Sequence, residues 1–270
     1  MNNVLLDRII KDGLATLSTM DSVSYRIDNI ILGKSIYTMK DCDTVFSDMN
    51  LCLILFEQGY GFSYFQDDID YDSAQQWVNQ DVRDVLKTDI PLYIKVALAD
   101  AVYSMIHTIN HTYTYRHFKG TLRDKATARA QELVRGIPKK SKVVLLGAVA
   151  EIIDECNKKD IDLTVLDLES SKIGLHFDKT TIQNGLEVSQ DTIASADYVI
   201  ATGMIFVSCT ADDLFEKARA GNYKLILYME TGSNFGGSLI AHGAHKVLSE
   251  MFPYYDFHGD TKYIVHQKNV

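Results

Sequence analysis

From Lys142 onward the apolar residues come in short blocks. Val143 to Leu146 forms one, ended by Gly147. A helix-like stretch follows, then a block from Leu163 to Leu168 that carries Asp167 and runs into Glu169. Further blocks stand at DYVIATGMIFV, KLILYME and TKYIVHQ. Between them lie a stretch from Ala211 to Ala220, with Thr210 as N-cap, the loop TGSNFGG, and a stretch from Ser238 to Leu248, both stretches compatible with helix. Apolar strands alternating with helices are the mark of a parallel sheet.

Before residue 142 the pattern differs. Val4, Leu5, Ile9, Ile10, Leu14 and Leu17 fall near helical spacing. Residues 23–39 alternate and are rich in β-branched and aromatic types, which predicts strands with a turn at Gly33. Residues 51–65 predict two strand pieces around Gly59 and Gly61, 66–72 an acidic loop, and 73–87 a short helix. Pro91 opens a strong helix, LYIKVALADAVYSMIHTINH. A helix over 121–135 is stopped by Gly136 and Pro138. The fold class expected is α/β: a Rossmann-like parallel sheet over 142–270, preceded by a smaller α+β domain over 1–115, with 116–141 as a connecting helical segment.

The strand–turn–helix–strand of 142–169 has chemistry built in. Its acid follows the glycine by about 20 residues, the spacing of a nucleotide-binding βαβ unit. Gly147-Ala148-Val149-Ala150 keeps one glycine of that fingerprint. A pyrophosphate needs closer backbone approach than this turn offers. An adenosine without phosphates, as in S-adenosylmethionine (SAM), does not. An ordinary crossover without ligand has the same pattern.

The chain has 270 residues, 46% hydrophobic and 23% charged, with net charge −9. That balance argues against nucleic acid or an anionic membrane as main partner. Arg116, Lys119, Arg123, Lys125 and Arg129 form a local basic cluster, read as the solvated face of a helix. Cys42, Cys52, Cys156 and Cys209 are widely spaced, the first residues do not read as a signal peptide, and no uninterrupted apolar run has spanning length. The cytoplasm is the expected compartment, and a homodimer is allowed.

Three constellations could carry function. In the first, Gly147 and Ala148 lie under the ribose and amino-acid part of an adenosine ligand. Asp167 binds the ribose with Glu169 behind it, and Thr202, Gly203 and Met204 stand at the next strand's carboxyl end. The second is aromatic: Tyr64, Phe65, Tyr113, Tyr115, Phe118, Phe206 and Phe235. Ring faces attract a sulfonium cation, and Tyr115 and Phe206 are the first candidates to hold it in a cleft between the halves. Interdomain packing is the plainer role for these rings. The third is His107, His111 and His117, an incomplete zinc set, beside Asp67, Asp68, Asp70 and Asp72, which could bind Mg²⁺ or simply form a solvated loop. There is no G-x-S-x-G and no Cys next to a His.

The second half also resembles a known family. Asp197, Thr202-Gly203, Thr210, Gly232 and Gly243 match the pattern of the heavy-metal chelation family. That resemblance implies an N-terminal domain like that of enolase and a Rossmann-like C-terminal domain. Ser208-Cys209 stands where the family often has Asn-Gly.

Three functions follow. The first is a SAM-using enzyme acting on a small-molecule substrate. It would transfer a methyl group, or use the aminocarboxypropyl arm, including ring closure as in azetidine-2-carboxylate synthases. The second, implied by the resemblance, is a metal or metal-chelate binding module. The third is a NAD(P)-dependent oxidoreductase, disfavoured by the missing glycines and the absence of a Tyr-x-x-x-Lys pair in the second half.

Overall fold

The computed structural model describes residues 3–21, 23–38, 45–110, 114–188, 190–254 and 258–268. The chain divides into two compact units. The first comprises Met1–Thr114, Gly203–Asp212 and Glu230–Ser238; the second Tyr115–Thr202, Asp213–Met229 and Leu239–Val270.

The first unit is built on α1 (Val4–Leu17), the antiparallel sheet β1 (Asn29–Thr38), β2 (Val45–Phe56) and β3 (Gly59–Phe65), short helices α2 (Tyr71–Gln75) and α3 (Val82–Val85), and α4 (Leu92–Asn110). β1 runs straight through Gly33, which pairs with Leu51 in the ladder, so the expected turn there is a continuous strand. The strand pieces expected around Gly59 are β2 and β3, with the reversal between Phe56 and Gly59. The stretch 73–87 is not one helix but parts of α2 and α3. Gly61 lies inside β3 because α4 packs directly on it: an added Cβ would collide with the Ala97 carbonyl and the Ala101 nitrogen.

Cys52, Ile54 and Phe65 form the core with Ile94, Ala97, Ala101 and Met105 of α4. Helix α4 has the length and composition of a membrane span, more than the sequence reading allowed, but 67% of its span-like window is buried inside the structure. Asp100 at its middle is fully buried.

The second unit carries a nine-stranded, mostly parallel sheet. Its strands are β4 (Arg116–Phe118), β5 (Lys142–Leu146), β6 (Asp162–Asp167), β7 (His176–Phe177), β8 (Thr180–Asn184), β9 (Tyr198–Thr202), β10 (Lys224–Met229), β11 (Lys246–Glu250) and β12 (Thr261–Gln267). Helices α5 (Leu122–Leu133), α6 (Ala150–Lys158), α7 (Gln190–Ala194), α8 (Ala211–Arg219) and α9 (Ser238–His242) complete the chain. Thr121 and Asp124 close α5 with a capping box. The expected helix to Leu248 ends at His242, and β11 takes over at Lys246, because Val247 and Leu248 are wholly buried in the sheet.

The sheet order is β4-β12-β11-β10-β9-β5-β6-β8-β7. Its six parallel members run β8-β6-β5-β9-β10-β11. In chain order that is 3-2-1-4-5-6, the doubly wound Rossmann arrangement. The chain leaves β5 for one side and returns at β9 on the other, so the strand order reverses between these two neighbours.

Candidate functional site

In an open parallel sheet, ligands bind outside the carboxyl ends of the strands where the order reverses. Here that edge is the end of β5 and β9. Gly147 follows β5 with φ +88°, a conformation that costs glycine little. Its N–H donates to the Leu166 carbonyl at 2.8 Å. A Cβ placed on it would meet only the Thr202 side chain, at 3.7 Å, so Thr202 of β9 stands beside the turn.

Asp167 ends β6 and is 9% exposed. Its Oδ2 accepts the Ala148 N–H at 2.7 Å, and its Oδ1 accepts the Glu169 N–H at 2.9 Å. Lys172 Nζ lies 3.5 Å from Asp167 Oδ2 and 2.8 Å from Glu169 Oε2. The acid therefore closes the turn between β5 and α6 from inside, while Lys172 bridges the two carboxylates. Each carboxylate oxygen can accept more than one hydrogen bond, so a ribose hydroxyl can still be served. Lys172 escaped the sequence reading; its place three residues after Glu169, in a tight turn, was the available signal.

Thr202 belongs to the second unit with Gly147, Ala148, Asp167 and Glu169, whereas Gly203 and Met204 belong to the first. In the first unit, Thr231 Oγ1 lies 3.9 Å from Met204 Sδ. Phe206 is wholly buried, its ring edge-on to Phe235 at 5.2 Å. Its carbonyl accepts from Asn3 Nδ2. Tyr115, in the second unit, has Lys262 Nζ 5.3 Å from its ring centre, and burial raises its phenol pKa.

The other rings also sit in pairs. Tyr64 meets Phe62 edge-on, Phe65 stacks on Tyr93 at 3.8 Å, and Phe118 stacks on Tyr263 at 3.8 Å. Tyr113 and His111 lie outside the described residues, as does Cys42.

His107 Nε2 is 3.0 Å from the Asn234 carbonyl, so it donates there and is not a ligand nitrogen on that side. Among the described residues, no group of three or more His, Cys, Asp or Glu is arranged to hold a metal ion.

Two buried polar clusters were missed as well. In the first unit, Asp100 accepts from Phe62 N–H at 2.9 Å and from Asn234. In the second, Glu250 at the end of β11 is wholly buried and ion-paired with Arg129. Glu250 also accepts from Tyr228 Oη at 3.2 Å and Thr261 Oγ1 at 2.9 Å. Arg129 and Lys125 are buried, so this part of the basic cluster is core and not a solvated face. The helix α5 turns that face to the interior because Ala126, Ala130 and Leu133 share it.

Residues 129–227, a little over a third of the chain, match the family model DUF364, described as "Putative heavy-metal chelation". Two solved structures of DUF364 proteins of unknown function are similar over nearly the whole chain. The one from Desulfitobacterium hafniense DCB-2 is 13% identical, with TM-score 0.62, covering 97% of this chain and 100% of that one. The one from Pyrococcus horikoshii is 13% identical, with TM-score 0.51, covering 98% and 100%. They support the DUF364 resemblance and the fold. No curated protein matches the sequence.

Proposed function

Taking the family match as premise, we propose that the second unit binds a small ligand outside the carboxyl ends of β5 and β9. The observation that carries this reading is the reversal of strand order between those strands, with Gly147 and Thr202 side by side at the reversal. The matched residues 129–227 include both strands.

The family description favours a metal chelate as that ligand. A bare ion does not fit the described residues, which offer no three-ligand group. The metal would therefore arrive wrapped in an organic chelator, and the protein would recognise the complex by hydrogen bonds and shape.

A second reading is favoured by the turn itself. A single positive-φ glycine and a strand-end acid behind it suit an adenosine, and SAM remains the adenosine ligand we propose. Gly147 and Ala148 would lie against it and Asp167 would accept from the ribose. SAM supplies an electrophilic carbon on its sulfonium for group transfer or ring closure. Orientation and exclusion of water would be the protein's share.

One titration series separates the readings. The full chain is titrated with Zn²⁺ and Ni²⁺, free and as citrate complexes, and with SAM and S-adenosylhomocysteine. Uptake of complexed metal over free metal supports the chelate reading. Binding of the adenosyl compounds, weakened in Asp167→Ala, supports the second. Binding of none of these probes overturns both.

A further inference from the structure

Among the described residues of the second unit, two large apolar side chains are exposed: Leu168 at 57% and Leu186 at 81%. They are not scattered. Leu168 follows Asp167 at the end of β6, and Leu186 lies two residues past Asn184 at the end of the neighbouring strand β8. Asp167 and Asn184 are partners in the parallel ladder, so both leucines stand at the carboxyl edge of the sheet, beside the strand-end acid. A lone exposed leucine needs no explanation, but two at one place beside a ligand acceptor call for one.

The local structure presents them. The Gly185 N–H donates to the Asp167 carbonyl at 2.9 Å and ties the two strand ends together. A Cβ on Gly185 would lie 3.3 Å from Leu168 Cδ2, so Leu168 lies against this glycine. The turn beyond it is closed by Asn184. Its Oδ1 accepts the Leu186 N–H at 3.0 Å, its Nδ2 donates to Glu187 Oε1 at 2.8 Å, and its carbonyl accepts the Glu187 N–H at 3.1 Å. Leu186 is therefore held out to solvent by a hydrogen-bonded turn.

We propose that Leu168 and Leu186 form the apolar seat of a nucleoside base, adenine in an adenosyl ligand, whose ribose is held at Asp167.

This rests on the adenosine reading of the site and gives the ligand a direction. The sheet order there is β9-β5-β6-β8. The Gly147 turn and Thr202 stand on the β5 and β9 side of Asp167, and Leu186 on the β8 side. A ribose carries its base on C1′ and its 5′ arm on C4′, on opposite sides of the ring oxygen. With the 2′- and 3′-hydroxyls at Asp167 and the 5′ arm toward the reversal of strand order, the base points the other way, along the edge toward β8. Neighbouring strands are about 4.8 Å apart, a step that a base on C1′ can cover. The faces of a purine are apolar and its polar atoms lie on the rim. Leucines take the face and leave the rim to water, so the seat selects for the presence of a base.

The test is calorimetric titration of the full chain with S-adenosylhomocysteine and with S-ribosylhomocysteine, in which a hydroxyl replaces the adenine. Wild type should bind the first at least about tenfold more tightly. Leu168→Ser and Leu186→Ser should each weaken S-adenosylhomocysteine by about three- to tenfold and leave S-ribosylhomocysteine unchanged. Leu186→Met keeps an apolar surface and should keep the wild-type affinity. Both positions are exposed, and circular dichroism checks that each variant is folded. If the serine variants bind S-adenosylhomocysteine as wild type does, while Asp167→Ala binds it less well, this proposal alone falls. Equal affinity of wild type for the two compounds, or equal loss of both in the serine variants, also overturns it and leaves the adenosine reading standing. A wild type that binds neither compound overturns that reading and the base seat with it.

Discussion

Asn234 donates twice to one carboxylate: its backbone N–H lies 2.6 Å from Asp100 Oδ1 and its side-chain Nδ2 3.0 Å from Asp100 Oδ2. Phe62 N–H is a further donor to that carboxylate, so the middle of α4, the strand β3 and the turn at 233–235 meet on one buried group. Among the described residues no cation pairs with it. Asn234→Ala removes the side-chain donor and leaves the backbone N–H in place, and should cost about 1–3 kcal/mol, the scale of leaving one buried acceptor short of its partner. Urea denaturation of the single variants and of the double variant with Asp100→Asn should show strong coupling. Additive losses would mean that the two residues act independently.

Burial pushes the Asp100 carboxyl up to about 7, against the N–H groups that pull it down. The folded protein then keeps this proton after the unfolded chain has released it. The group's contribution is fully present below about pH 4, the ordinary carboxylate range, and is lost as pH rises through about 7. Stability of wild type relative to Asp100→Asn should fall across that window. Parallel pH profiles for the two proteins would refute the assignment.

Gly61→Ala should prevent the first unit from folding, since the new methyl group has backbone atoms of α4 in its place. Gly136→Ala is the control. Its Cβ meets nothing within 4 Å, and only its φ of +88° resists the change, at about 1 kcal/mol. Limited proteolysis and thermal melts compare the two. Similar melting temperatures would contradict the close packing of β3 on α4.

Arg129→Met removes the cation from a wholly buried carboxylate. It should destabilise by about 3–5 kcal/mol, because Glu250 keeps its hydrogen bonds from Tyr228 and Thr261 but loses its cation. Arg129→Met combined with Glu250→Gln should recover a large part of that loss. If the double variant is as unstable as the single one, packing and not charge holds this cluster, and chemical denaturation of the three proteins decides.

Lys246 Nζ donates to the carbonyls of Glu132, Leu133 and Arg135 at the end of α5, and burial brings its pKa down to about 8. A base whose folded pKa is lowered binds fewer protons folded than unfolded. This group's contribution to stability therefore rises with pH from about 8 toward its ordinary value near 10.4. Lys246→Met should remove that rise from the pH profile. An unchanged slope would count against it.

Local signals carried the second unit far. The blocks Val143–Leu146 and Leu163–Leu168, the acid Asp167 and the terminal TKYIVHQ all stand where alternation and apolar runs placed them. β11 was hidden because KVLSE follows a helix-like stretch without a turn signal strong enough to separate the two. By pattern, residues 203–207 continue the strand before them, Thr210 caps a helix and TGSNFGG is a plain loop, whereas β9 ends at Thr202. Nothing in their own pattern records that their partners are Asn3, Phe62 and Asp100, more than a hundred residues away. The aromatic set shows the same limit. Composition identified the rings, but their pairing, Phe65 with Tyr93 or Phe118 with Tyr263, is a property of register and packing.

The first unit is not a segment of chain but three, and the last of them ends at Ser238. During synthesis, residues 1–114 emerge long before Thr231, Gly232 and Asn234 exist to cover β3 and Asp100. Until then this part of the chain exposes an open strand edge and carries a carboxylate without most of its donors. Its folding must therefore wait for nearly the whole polypeptide. A fragment cut at residue 114 would be an unfinished object, not a domain.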